Sequence, residues 1–139
     1  MSDAMAEFNQ RVIEEFRSSG GKVSGAFAGA PMILVTHRGA KSGKTYTTPL
    51  VYSKDGERYV IIASKAGAPT NPAWYHNLIA HPEVTVEVGH EKFTVTVVEA
   101  KGAERDRLFD AQASLMPQFN EYRQRTERRI PVLTLEPRR

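Results

Sequence analysis

The chain contains no cysteine. That absence excludes disulfides, thiolate nucleophiles and cysteine-held metal or iron–sulfur centres. It also lacks any apolar run approaching the length of a membrane span. Its polar N-terminus has no basic stretch followed by an apolar core, so no secretory leader is expected and the cytoplasm is the expected compartment. Net charge is small as well. Against 16 Asp and Glu, 19 Lys and Arg leave a formal +3, which does not point to nucleic acid. No recognition helix or array of aromatics beside cations argues for nucleic acid either. There is no Gly-x-Ser-x-Gly elbow, and no phosphate loop that opens a helix. Among the 4 histidines, His76 and His81 are off the helical spacing that lets two imidazoles share an ion, while His37 and His90 fall in a strand and a turn. No metal site is expected.

What remains is one domain of 139 residues, long enough for a single sizeable core. Residues 3–19 predict a helix, because Met5, Phe8, Val12 and Phe16 recur at spacings of three and four and Gly20-Gly21 ends the pattern. Its apolar stripe has two readings: packing on the core, or a mobile flap that covers a site or rests on a membrane surface. Residues 22–30, rich in glycine and alanine, read as a loop, so 1–30 precede a strand-rich unit over 31–139. Strands are predicted at 32–37, 45–53 and 58–63, the last two joined by an Asp55-Gly56 turn. A loop over 64–71, with Gly67 and Pro69, leads to a short helix. Thr70 or Asn71 is expected to cap it, with Pro72 in its first turn, and His81-Pro82 to stop it after Ala80. Residues 83–88 and 92–100 form a second hairpin whose alternating apolar residues mark one buried face. A helix over 103–115 places Leu108, Phe109, Gln112 and Leu115 in register, and 130–135 returns as a strand. The helical crossovers are too few and too short for a parallel sheet. The fold class is therefore α+β, a closed antiparallel β-barrel, whose closure protects the valine-rich strand edges, with an N-terminal helix and helices between strands.

The near-balance of charge hides a local cluster. Between the first two strands, Arg38, Gly39, Lys41, Ser42, Gly43 and Lys44 share a few positions. Glycines let backbone N–H groups turn inward, and cations and a hydroxyl beside them suit an anionic group such as a phosphate. The same composition also makes a soluble hairpin loop. Ala63-Ser64-Lys65 closes the third strand, and if that strand pairs with the second, Lys65 returns beside the loop. The N-terminus of the short helix adds N–H donors, and Trp74, the sole tryptophan, offers a flat surface for a ring. Residues 122–129 are polar and basic, either a solvated connector or the border of a pocket with Tyr122 as hydrogen-bond donor or proton source. The expected ligand is a small anionic molecule with an aromatic part.

Three blocks carry a family resemblance: THRGAKSGKTYTTPLVYSKDGERYVIIASKAG, then NPAWYHNLIAHPEVTVEV, then EYRQRTERRIPVLTLEP. Together, in this order and at these spacings, they resemble the deazaflavin-dependent nitroreductase family, small oxidoreductases that use coenzyme F420. The resemblance implies a split β-barrel of the type shared with FMN-binding oxidoreductases, with the deazaflavin in a groove of the barrel. It places Lys41, Ser42, Gly43 and Lys44 at the phosphate and acidic tail, with Arg38 beside them. It places Ala63, Ser64 and Lys65 at the strand end next to the ring and phosphate, Trp74 and Asn77 on the cofactor side, and Tyr122 on the substrate side. Ala40 stands where the family usually carries Arg or Lys, and Phe119 where members that activate nitroimidazoles tend to carry a tyrosine. The implied chemistry is hydride transfer from the reduced deazaflavin to an electron-poor acceptor, a quinone first, with nitroaromatic or enone reduction as side activities. The alternatives are a non-catalytic deazaflavin carrier and an FMN or haem binder on the same barrel. Monomer and homodimer both remain open.

Overall fold

In the computed structural model, which describes residues 2–22, 30–67 and 70–138 (backbone alone at 2–6 and 66), seven strands form one antiparallel sheet. They are β1 (Met32–Arg38), β2 (Thr45–Val51), β3 (Ser53–Asp55), β4 (Arg58–Ile62), β5 (Glu83–Val88), β6 (Glu91–Glu99) and β7 (Val132–Pro137), in the order β2-β1-β5-β6-β7-β4-β3. The two edge strands, β2 and β3, are neighbours in sequence, separated only by Tyr52. The strand predicted over 45–53 therefore breaks at Tyr52, and the chain passes there from one edge of the sheet to the other. That passage wraps the sheet into the split barrel that the family resemblance implies. Tyr52 N–H still donates to the Pro31 carbonyl at 3.1 Å, one pair beyond Met32 and Val51, and is the last tie to β1 before the crossing.

Strand alternation sorts side chains into two layers. Ile33 and Val35 of β1, Ile61 of β4, Val84 and Val86 of β5, Val95 and Val97 of β6, and Leu133 and Leu135 of β7 fill the barrel, and Leu78 completes the plug. Leu78 belongs to α2 (Ala73–Ala80) and is fully buried. On the other face of β1, Met32 and Leu34 receive Val12, Ile13 and Phe16 of α1 (Ser2–Ser19). Burial of each such side chain stabilises the fold by roughly 1.5–3 kcal/mol, so Val12 and Phe16 of the stripe pack on the core, with Phe8 partly buried against them. Arg17 donates to both carboxylate oxygens of Glu87 on β5, at 3.0 and 2.8 Å, and pins the end of α1. No described helix is long and apolar enough to cross a membrane. The expected place of Met5 on the stripe, the loop over 23–29 and Pro69 lie outside the described residues.

The second apolar layer joins β4 and β7 to α3 (Gly102–Leu115) and α4 (Gln118–Gln124) through Val60, Ile62, Val132, Leu108, Phe109 and Phe119. Leu115, expected on this face, is 73% exposed, and Met116 one residue later packs in its stead as Pro117 turns the chain. Arg105 takes an inward position instead and donates twice to the Ile130 carbonyl, at 3.0 and 2.7 Å. The connector expected at 122–129 begins as helix α4, and β7 starts at Val132 instead of Ile130. Neither Thr70 nor Asn71 caps α2. Its N-cap is Pro72, with no side-chain cap bond, because the Asn71 oxygen is taken by Arg128.

Candidate active site

The β1–β2 connection is a tight hairpin. Gly39 N–H donates to the Lys44 carbonyl at 2.7 Å, and Gly43 N–H to the Gly39 carbonyl at 3.1 Å. Gly43 sits at φ +73, the left-handed region that glycine enters without steric cost. A Cβ on Gly39 would lie 2.5 Å from Ser42 Oγ and 3.2 Å from the Tyr46 ring, so only glycine lets the loop close over these two side chains. Ser42 Oγ accepts from Lys44 N–H at 3.2 Å, which leaves the hydroxyl proton for an outside acceptor.

One face of this loop opens on a cavity of about 810 Å³. Its lining includes His37, Lys41, Ser42, Tyr46, Trp74 and Asn77, with Asn9 of α1 at its margin. Trp74 and Asn77 reach it from α2, at spacing three on one helical face. Asn77 does more than line the wall. Its Oδ1 accepts the Ala40 N–H at 2.9 Å, and its Nδ2 meets His37 Nδ1 at 3.1 Å. His37 Nε2 meets Thr48 Oγ1 at 2.9 Å, and the ring stacks on Tyr46 with centroids 5.8 Å apart. Burial pushes the His37 imidazole down to about 4, so it is neutral at physiological pH. Sequence reasoning passed over this residue. The available signal was its parity with Ile33 and Val35, which puts a histidine on an inward strand face.

The third strand does not pair with the second, as the expected return of Lys65 to the loop required. β4 pairs with β3 and β7, with Val60 opposite Ser53 and Thr134. Lys65 instead occupies a single 3-10 turn, Lys65–Gly67, with φ 47, a left-handed conformation that costs a lysine roughly 1–2 kcal/mol. Arg128 holds this turn. It donates to the Ala63 and Ser64 carbonyls at 3.2 and 2.7 Å and to Asn71 Oδ1 at 2.7 Å. Desolvation lowers its pKa from the usual arginine value. Gly67 then lets α4 approach, because a Cβ there would lie 2.8 Å from the Tyr122 carbonyl oxygen. Tyr122 packs edge-on against Phe119, centroids 5.3 Å apart, beside the same turn.

The expected site residues thus fall into two groups beside the first half of α2. Lys41, Ser42, Trp74 and Asn77 share the cavity, with Gly43 and Lys44 in the loop behind. Ala63, Ser64, Lys65 and Tyr122 gather at the foot of the helix, where Asn71 and Arg128 join them. Arg38 points away from the first group and lines a neighbouring cleft with Thr36, Thr45 and His81. Among the described residues, Arg38, Lys41 and Lys44 form no ion pair, so three cations face solvent around one loop. Unpaired cations, a free hydroxyl proton and two aromatic walls are the donor set that an aromatic cofactor with an anionic tail needs, and in this respect the residues fit a deazaflavin.

Comparison with known proteins identifies the family. The profile of the F420H(2)-dependent quinone reductase family matches residues 9–137. An F420H(2)-dependent quinone reductase of Mycobacterium tuberculosis (strain H37Rv) is 39% identical over 127 residues, 88% of this chain and 85% of that protein. A solved structure of an F420-H2 dependent reductase is 37% identical, with TM-score 0.70 over 76% of this chain and 94% of that one. A solved chain described as a domain-swapped dimer is 34% identical, with TM-score 0.72 over 97% and 98%. With nearly its whole length matched in sequence and its barrel matched in structure, the chain belongs to the F420H(2)-dependent quinone reductase family.

Proposed function

We infer that this protein is an F420H2-dependent quinone reductase that passes a hydride from reduced deazaflavin to a quinone. One observation carries the reading: the 810 Å³ cavity walled by Tyr46 and Trp74 opens against a loop whose lysines have no ion-pair partner among the described residues. A ring takes the aromatic walls, and phosphate and carboxylate groups take Lys41, Lys44 and Ser42. When bound, the reduced deazaflavin supplies a two-electron hydride, and the protein supplies position and a proton.

Lys41, Lys44 and Ser42 would hold the anionic end of the cofactor, and Trp74, in the first turn of α2, would take its ring. Lys65, whose two preceding carbonyls are held by the Arg128 clamp, donates to Thr70 Oγ1 at 3.4 Å, and the turn it opens packs against α4, which carries Tyr122. No described hydrogen bond occupies the Tyr122 hydroxyl, which leaves it available to orient an acceptor carbonyl or to give it a proton, directly or through water. Phe119 is 4% exposed inside the α3–α4 cluster, so the position that carries a tyrosine in nitroimidazole-activating relatives offers no hydroxyl here. Quinones are accordingly the acceptor class, with nitro and enone reduction minor. A homodimer is part of this reading, supported by the 34% identical domain-swapped dimer.

Titration of the purified protein with reduced deazaflavin and with FMN, followed by addition of menadione, a nitroimidazole or an enone, tests the reading. Tight binding of the deazaflavin and its rapid oxidation by menadione are expected. Binding without oxidation by any acceptor indicates a carrier, and preference for FMN or haem overturns the cofactor assignment.

A further inference from the structure

We propose that His37 is a positioning residue: as the neutral Nε2–H tautomer it fixes the amide of Asn77 and, through it, the height of the basic loop. The argument starts at the backbone. Ala40 N–H can only donate, so the Asn77 atom 2.9 Å from it must be the oxygen. The other amide atom is then the nitrogen, a donor, and it faces His37 Nδ1 at 3.1 Å. Nδ1 must accept, so the ring proton sits on Nε2 and is donated to Thr48 Oγ1 at 2.9 Å. Each bond in this relay fixes the direction of the next. With the proton on Nδ1, the Asn77 amide would have to turn over and set its NH2 against the Ala40 N–H.

The relay has consequences for the site. Ala40 is the residue between Gly39, where the hairpin closes, and Lys41 and Ser42, which line the cavity. Tying its N–H to α2 couples the loop to the helix that carries Trp74. The imidazole is 5% exposed, sealed by the Tyr46 ring on one side, so the relay works in a setting where an unmade bond is costly. Asn77 thereby acts as an organiser of the loop, with one amide hydrogen left for a ligand. The link to cofactor affinity rests on the reading of this cavity as the deazaflavin site; the link from His37 to Ala40 does not.

The experiment has two arms. Long-range proton–nitrogen NMR of the protein without cofactor reads the His37 tautomer, and amide exchange reads Ala40. The Nε2–H form is expected, and an Nδ1–H signal overturns the proposal outright. In His37→Leu, which removes both ring contacts, exchange at Ala40 should accelerate by about tenfold. His37→Asn, which keeps an acceptor near the Nδ1 position, should retain most of the protection. Equal exchange in wild type and His37→Leu overturns the proposal. If His37→Leu does not fold, Asn77→Ala interrupts the same relay from the helix side, and unchanged Ala40 exchange there is equally contradictory. Deazaflavin titration of the same variants, followed by Trp74 fluorescence, is expected to show affinity falling in step with Ala40 protection. Faster exchange with unchanged affinity supports the positioning role and overturns the cofactor reading of the cavity. Weaker affinity with unchanged exchange overturns the positioning role.

Discussion

The two groups of site residues beside α2 are built in different ways, one around Asn77 and one around Asn71. At the Asn77 end, the loop from Gly39 to Lys44 is one contiguous segment whose cations face outward without partners among the described residues. At the Asn71 end, one guanidinium, Arg128, spends its donors on the Ala63 and Ser64 carbonyls and on Asn71. The first end has charge to give to a ligand. The second uses its charge to hold backbone, and the strained Lys65 turn is what it holds. In the proposed function the first binds the cofactor and the second shapes the site.

The largest effect expected from breaking the comparison is on stability. Arg128→Ala leaves two half-buried carbonyls without their donor and should cost about 2–3 kcal/mol in urea denaturation, whereas removing the loop lysines should cost less than about 0.5 kcal/mol. Equal losses would remove the distinction between the two ends. Next in size is chemistry at the shaped end. Tyr122→Phe removes a hydroxyl without a described partner, so stability should hold while turnover with menadione falls by about tenfold. A loss of deazaflavin affinity in place of turnover would move Tyr122 to the binding role.

Smaller effects sharpen the binding end. Gly39→Ala drives a Cβ to 2.5 Å from Ser42 Oγ and 3.2 Å from the Tyr46 ring. The loop must shift, at a cost of about 1 kcal/mol, with a matching loss of deazaflavin affinity. Acid gives the smallest contrast. His37 is held near 4 against an ordinary 6.5, so between those values the unfolded chain takes up a proton that the folded chain refuses. Stability is full above about pH 6.5 and should fall as pH drops towards 4. His37→Asn should flatten that stretch of the profile. Asp55, held down to about 2 first by its hydrogen bond from Arg107, loses its contribution only as pH falls from 3.8 towards 2, below the histidine window.

The same division explains how much could be read from the sequence. The loop was legible because Gly39, Lys41, Ser42 and Lys44 are adjacent and because hairpin glycines mark their own geometry. Strand alternation gave the barrel its inner face, and the stripe of Phe8, Val12 and Phe16 gave α1 its packing. The Arg128 clamp was not legible. It joins residues 57 to 65 positions apart, and an arginine in a basic stretch looks solvated until its partners are known. The break at Tyr52 was hidden for a related reason: β2 and β3 share one alternation, and only the closure of the sheet separates them. The role of His37 is not legible in the sequence because its partners Thr48 and Asn77 lie 11 and 40 positions away.

The central claim is that the basic loop binds the cofactor and the reaction takes place further along the groove. Steady-state reduction of menadione by Lys41→Ala/Lys44→Ala tests it most directly. The KM for reduced deazaflavin should rise by about tenfold at low salt, with the difference shrinking as salt screens the lost charges. At saturating cofactor, kcat should stay within about threefold of wild type. A fall in kcat with KM unchanged would contradict the account, because it would place the chemistry at the loop itself.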